Sequence, residues 1–366
     1  MKPDRIAVLD AFRAIAIFLV IGFHYLSRWT PPRSEVNLYP YGGWLSDFPL
    51  FRFGGMGVQL FFIVSGFVIS MTLLSCRDWR EFAWKRFARL FPAMLLCSAI
   101  TFFVIHALPA APFTANPRDF LPGLTFTDPE LWQRAFGVRF GDVDGVYWSL
   151  QVEVKFYFWA CLLHFLGSPG GFPRRFLLFL NATLALVALN AYLHAPILAS
   201  ITDTVLLARH LPWFAAGVGF HAVYRGQRDL AGPLLILESG ALLAVGSVAA
   251  GELPELLFTA CFFALFAVLV LRGHWLDWLA ARPLVAVGAA SYSLYLLHDR
   301  IGVTALALWT RAQGGEELRV SVLLAVAVAA TMALASMAVF RYWEVPSRRW
   351  VLQRMSGWRE RRGDSR

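Results

Sequence analysis

Apolar residues along this chain gather into blocks separated by short polar stretches. The blocks are roughly 20 residues long, which is what a helix needs to cross the hydrocarbon of a bilayer. Ten are read, near Ala7–Leu26, Met56–Leu74, Leu90–Leu108, Val146–Leu166, Phe176–Tyr192, Leu206–Val223, Pro233–Ala249, Leu256–Leu271, Val285–Trp309 and Val320–Phe340. Unpaired backbone groups are too costly in hydrocarbon for any open structure, and the alternation of a barrel strand is missing, so each block is expected to be a helix. The pattern predicts an all-α, polytopic transmembrane bundle of about ten helices. No soluble domain of useful size remains. The longest connections are Ser27–Gly55 and Pro109–Gly145, and a membrane domain over 1–342 is followed by a basic tail over 343–366.

The basic residues orient this bundle. Lys2 and Arg5 precede the first block, and Arg77, Arg80, Lys85, Arg86 and Arg89 follow the second. Arg174, Arg175, Arg225, Arg228, Arg272 and Arg282 fall in even-numbered connections, and Arg348, Arg349, Arg354, Arg359, Arg361 and Arg362 crowd the tail. The opposite connections hold acids such as Asp142, Asp144, Glu252 and Glu255. The positive-inside rule therefore puts both termini in the cytoplasm, which agrees with an even number of spans.

Composition narrows the class further. The 366 residues are 58% hydrophobic and 16% charged, against about 25% charged in an average soluble protein. The net charge of +9 reflects topology and attraction to anionic lipid headgroups. A nucleic-acid partner is not expected, because no soluble fold stands behind a basic patch. Arg13 interrupts the first block and no small-residue cleavage site follows, so that block is not a cleavable signal. Cys76, Cys97, Cys161 and Cys261 sit in or beside separate blocks with neither metal spacing nor a disulfide framework, and no metal is expected. No sustained repeat is visible, which weakens a transporter built on duplicated halves.

Ionisable side chains inside the blocks carry the chemistry, since each is expensive in lipid unless paired or hydrated. Arg13 and His24 lie eleven residues apart in the first block. That is about three helical turns, so they share a face, with roughly 16 Å between them along the axis. Asp10 is placed to pair with Arg13. One reading has Arg13 snorkelling to the headgroups and His24 capping the helix at the surface. The other has both facing a polar cavity, with His24 as a base. Ser65 and Gly66 in the second block read as a close-packing point, and Gln59 lies near its outer end.

Arg86 and Arg89 in WKRFARLFP share a helical face. They are either a topology anchor or two guanidinium forks suited to phosphate. Glu153 in the fourth block is expected at the level of His24 and shares a face with Tyr157. It reads as the partner of a basic side chain or as a carboxylate that orients a histidine. His298, Asp299 and Arg300 in the ninth block suggest an outer vestibule, and Glu344 before Pro346 reads as an interfacial anchor.

Taken in order, these segments resemble the integral-membrane acyltransferase family 3. The resemblance is carried by Arg13-x10-His24, LFFIVSGF (Leu60–Phe67), RFARLFP (Arg86–Pro92), WSLQVEVKFY (Trp148–Tyr157), SYSLYLLH (Ser291–His298) and WEVPSRR (Trp343–Arg349). It implies transfer of an acyl group, commonly acetyl from acetyl-CoA, to a hydroxyl of a glycan or glycolipid at a bacterial inner membrane. It further implies that His24, Glu153 and Arg13 are catalytic and that Arg86, Arg89 and Arg13 hold acyl-CoA. Tyr157, on the face of Glu153, and His298, the weaker of the two histidine candidates, are expected to meet the acceptor. Many members carry an added extracytoplasmic hydrolase-like domain, which is not expected after Phe340. With no nucleophilic serine or cysteine beside a base, direct transfer with His24 as base is favoured over an acyl-histidine.

The competing reading is a transporter or flippase of a polar lipid or acyl carrier, which would use Arg13, Glu153 and His298 equally well. Membrane lipids are expected partners in either case, and association into homo-oligomers is compatible with both. Trp29, Tyr39, Tyr41, Trp44 and Trp132 in the long connections are candidates for stacking on sugar rings, although interfacial aromatics are common in membrane proteins.

Overall fold

The computed structural model describes residues 6–39, 44–108, 111–313 and 318–361. Lys2, Arg5, Tyr41 and Arg362 lie outside the described residues. The architecture is all-helical, with no strand among the described residues. A helix stands at each of the ten predicted blocks: α1 (Ala7–Leu26), α2 (Gly57–Leu74), α3 (Trp79–Ala107), α4 (Trp148–Phe165), α5 (Phe172–Leu193), α6 (Leu211–Tyr224), α7 (Ala231–Ala249), α8 (Leu253–Arg272), α9 (Ser291–Gln313) and α10 (Leu318–Val339).

Among the described residues, seven helical segments are long and apolar enough to cross a membrane, those of α1, α2, α3, α5, α7 and α8 and the stretch Val322–Met355. The remaining three, α4, α6 and α9, fall outside that set. At fourteen residues α6 is short, while α4 and α9 carry charged and polar side chains such as Glu153, Lys155, Asp299 and Arg300.

Several boundaries differ from the sequence reading. Helix α6 starts at Leu211 rather than Leu206, and α9 starts at Ser291 behind a separate short helix over Arg282–Ala289. The start of α3 and the stretch after α10 differ most. Helix α3 starts at Trp79, a full eleven residues before Leu90, and runs through Pro92. A proline inside a helix removes one N–H and strains the preceding turn. Two neighbouring carbonyls, neither of them the Ala88 carbonyl that the proline frees, accept from side chains, with the Tyr292 hydroxyl on Leu90 O at 3.0 Å and the Trp343 indole on Pro92 O at 2.7 Å. At the other end, a π-turn over Phe340–Glu344 leads from α10 into a further helix, α11 (Val345–Arg361). Glu344 is not an interfacial anchor. It is buried and accepts from the Ser293 hydroxyl at 2.9 Å.

The chain divides into two compact units. The first comprises Met1–Ala16, Met56–Phe82 and Val152–Val285. Its centre is the crossing of α2 with α6. A Cβ on Gly66 would stand 2.2 Å from the Phe214 carbonyl oxygen, and one on Gly217 only 2.1 Å from that of Ile63. Only glycine permits this approach, and close backbone packing is the main source of helix association in lipid. Phe214 stacks on Phe156 with ring centroids 4.1 Å apart, and Phe62 packs on the same ring at 4.6 Å.

The second unit comprises Ile17–Gly55, Ala83–Gln151 and Ala286–Arg366. Its core follows the inward face of α9, where Tyr292, Ser293, Tyr295, Leu296 and His298 are all buried. Tyr25 fits against Gly302, where a Cβ would collide with its hydroxyl at 1.8 Å.

Candidate active site

The second unit assembles a histidine pair from opposite ends of the sequence. His24 lies in the last turn of α1, and His298 in α9 has no exposed surface. The Nδ1 of His24 is 2.8 Å from the Nε2 of His298. The rings lie nearly parallel, with centroids 5.0 Å apart. Tyr25 donates to the His298 carbonyl at 2.8 Å, and Tyr39 donates to the His24 carbonyl while accepting from the Trp29 N–H.

The tautomers follow from one carbonyl. The Nδ1 of His298 is 2.9 Å from the Tyr295 carbonyl oxygen. A carbonyl only accepts, so His298 carries its proton on Nδ1. With His298 neutral, its Nε2 is then an acceptor, and the Nδ1 of His24 must be the donor. The lone pair of neutral His24 is consequently on Nε2. The His24 side chain keeps 13% of its surface open, so the ring is held without being sealed.

Acids surround this pair. Asp299 is buried, accepts from the Trp29 indole N–H at 3.3 Å, and places Oδ1 3.8 Å from the His24 Nδ1. Asp144, in the connection before α4, has no exposed surface and accepts backbone N–H bonds from Val146 at 3.2 Å and Arg300 at 3.1 Å. Burial and the neighbouring Asp299 charge push the Asp144 carboxyl up to about 8. Asp142 accepts from Gln151 at 3.1 Å and is pushed up to about 7, chiefly by burial. Arg300 donates to Thr114 O and lies over the Phe113 ring. The expected vestibule is therefore a packed polar cluster in which Arg300 is the more open member.

The other predicted residues take these places. Arg13 donates to Asp10 at 2.9 Å, as the i,i+3 spacing implies. Glu153 accepts from Ser65 at 2.6 Å, with no basic side chain needed for that contact. This gives Ser65 a polar role beside the packing role of Gly66. Tyr157 is buried and meets the edge of Phe82 at 6.3 Å. On α3, Arg86 is buried and Arg89 half-buried, while Trp84 and Phe87 face out, so the two arginines share the inward side. Trp29 and Tyr39 are engaged in the histidine cluster, and Trp132 stacks on Phe136. Among the described residues, no group of three or more His, Cys, Asp or Glu side chains could hold a metal ion.

Sequence reasoning did not assign site roles to Asp299, Asp144, Ser65 or Glu344. The first had a signal, since it is a charge in an apolar block next to a histidine. Asp144 had none, because an acid in a connection ordinarily reports topology alone.

The family model of the acyltransferase domain matches residues 6–341. The chain belongs to the acyltransferase domain family. An O-acetyl transferase of Shigella phage Sf6 is 32% identical over 98 residues, covering 26% of this chain and 25% of the phage protein. The O-acetyltransferase OatA of Staphylococcus aureus (strain NCTC 8325 / PS 47) is 22% identical over 347 residues, covering 85% of this chain and 53% of OatA. The chain thus spans about half the length of OatA. No solved structure matches. The motifs that carried the resemblance all lie inside the matched residues, apart from the terminal WEVPSRR, which lies just beyond them.

Proposed function

We propose that this acyltransferase-family chain is a membrane-embedded O-acyltransferase. It moves an acyl group, acetyl in our reading, from cytoplasmic acyl-CoA to a hydroxyl of a glycan or glycolipid. The observation that carries the reading is the ordered chain from His24 through His298 to the Tyr295 carbonyl, which leaves the His24 Nε2 as a proton acceptor. A histidine held in one tautomer is the arrangement a general base requires.

In this mechanism the acceptor hydroxyl gives its proton to His24 Nε2 as its oxygen attacks the thioester carbonyl. A C–O bond forms and the carbonyl electrons move onto oxygen. The tetrahedral intermediate collapses, the C–S bond breaks, and the departing thiolate takes the proton back from His24. No net proton is consumed.

Arg13, some three helical turns from His24, is assigned to the donor, where a guanidinium suits the charged groups of acyl-CoA. Arg86 and Arg89 are assigned to the CoA phosphates, which suit two forks on one helix face. Glu153, held by Ser65, is assigned a catalytic role. Tyr157 is assigned to the acceptor side, and His298, with both ring nitrogens engaged, serves that side only through His24. We place the protein in a bacterial inner membrane with about ten spans and both termini in the cytoplasm, on the strength of the charge distribution.

The experiment supplies radiolabelled acetyl-CoA to membrane vesicles holding the protein and follows label in the glycan fraction, alongside mass analysis of surface glycans from cells with and without it. Covalent label and an acetyl mass increment that both depend on the protein support the reading. Unmodified glycans with no transferred label would sink it, and movement of an unaltered lipid would favour a transporter instead.

A further inference from the structure

Among the buried carboxyls that the mechanism leaves unused, Asp299 is the one beside the His24 ring. Asp299 follows His298 directly in α9, yet its side chain reaches the same nitrogen of His24 that His298 accepts from, at 3.8 Å. Only 4% of that side chain is exposed, so water does little to screen it. The Trp29 indole fixes its Oδ1 at 3.3 Å.

Asp144 is the neighbouring acid, and burial together with the Asp299 charge pushes its carboxyl up to about 8. A proton held on Asp144 leaves the negative charge of the two on Asp299, whose Oδ1 lies 3.8 Å from the His24 Nδ1.

The remaining charged and titratable groups that act here are Arg28 beyond the end of α1, Arg300 in α9 and His298. Asp142 acts on Asp144 from the same connection. Arg28 is exposed and Arg300 has its own partners in Thr114 and Phe113.

We infer that Asp299 is the counter-ion of His24, a positioning residue that steadies the imidazolium formed when His24 takes the acceptor's proton. The inference rests on the acyl-transfer reading. His24 Nε2 gains a proton while Nδ1 keeps its own, so the ring becomes a cation between neutral His298 and anionic Asp299. When the thiolate departs with that proton, the ring returns to neutral and Asp299 keeps its charge throughout. Asp299 touches no reacting atom and acts only through His24.

The test compares Asp299→Asn with Asp299→Glu in reconstituted vesicles. Asparagine keeps the shape and can still accept from Trp29, but it cannot be charged. We expect Asp299→Asn to lower kcat by roughly 10- to 100-fold, a share of the 10²–10⁴ that a positioned base supplies. KM for acyl-CoA and acceptor should stay within about twofold, the thermal midpoint should hold, and Asp299→Glu should recover part of the rate. In a His24→Ala background, Asp299→Asn should cost nothing more, because the cation it serves no longer forms. Wild-type kcat in Asp299→Asn would overturn the inference, as would a loss of rate that tracks a loss of stability or persists without His24. Absence of transfer by the wild-type protein would instead overturn the acyl-transfer reading itself.

Discussion

The two halves of α1 hold their polar side chains in different ways. Near its start, Arg13 is met by Asp10 one turn earlier in the same helix. Near its end, His24 is met by His298 and Asp299, more than 270 residues further along the chain. The first contact is local, would form in an isolated helix, and is readable from spacing. The second exists only once α9 is in place. A local pair fixes a charge in lipid, whereas a contact made by folding fixes a tautomer, and a tautomer decides which nitrogen can take a proton.

The strongest way to break this contrast is to remove the distant partner. His298→Phe keeps a flat ring but cannot accept from His24 Nδ1. It should lower kcat for acyl transfer by about 10²-fold, the low end of what a positioned base contributes. His298→Gln, whose carbonyl accepts, should regain part of that loss in the same assay. If His298→Phe keeps the full rate, the tautomer argument fails.

A change at the local pair should act on binding instead. Arg13→Lys keeps the charge but loses the guanidinium fork. We expect the acyl-CoA KM to rise about tenfold, equivalent to about 1.4 kcal/mol, with kcat changed less. Initial rates over a range of acyl-CoA concentrations separate the two, and an unchanged KM would remove Arg13 from the donor site.

The gentlest change tests the proton on Asp144. Its carboxyl titrates near 8 in the folded protein and near 4 when unfolded. The folded state therefore binds the extra proton between these values, and its stability should fall as pH rises from about 4 to 8. Asp144→Asn removes that proton equilibrium. It should flatten the dependence of the thermal midpoint on pH while changing transfer at neutral pH by no more than about twofold, since asparagine, like a protonated Asp144, is neutral and can still accept from the Val146 and Arg300 N–H groups. An unaltered slope would show that another group carries it.

Much of the fold was legible in sequence because apolar length is a one-dimensional property. All ten predicted blocks are helical, although only seven helical segments meet the length and composition of a span. Helix α3 ran past its predicted start because Trp79–Arg89 is polar by composition yet continuous in its hydrogen bonding. Tyr292 and Trp343 donate to the Leu90 and Pro92 carbonyls beside its proline, contacts that no local pattern announces.

The site was legible in parts. Arg13, His24, Glu153 and His298 stood out as costs in lipid. Their partners divided by distance along the chain. Asp10 was found from spacing, whereas Ser65 for Glu153 and His298 for His24 required three-dimensional contact. Glu344 was misread for the same reason, since a carboxyl before a proline near a basic stretch looks interfacial until Ser293 is seen beside it.

The account stands on His24 Nε2 as the base, and replacement followed by chemical rescue measures this most directly. His24→Gly, reconstituted in vesicles with radiolabelled acetyl-CoA and glycan acceptor, should insert normally and lose transfer by about 10²-fold or more. Added imidazole should restore part of the rate. Transfer at the wild-type rate without imidazole would contradict the account.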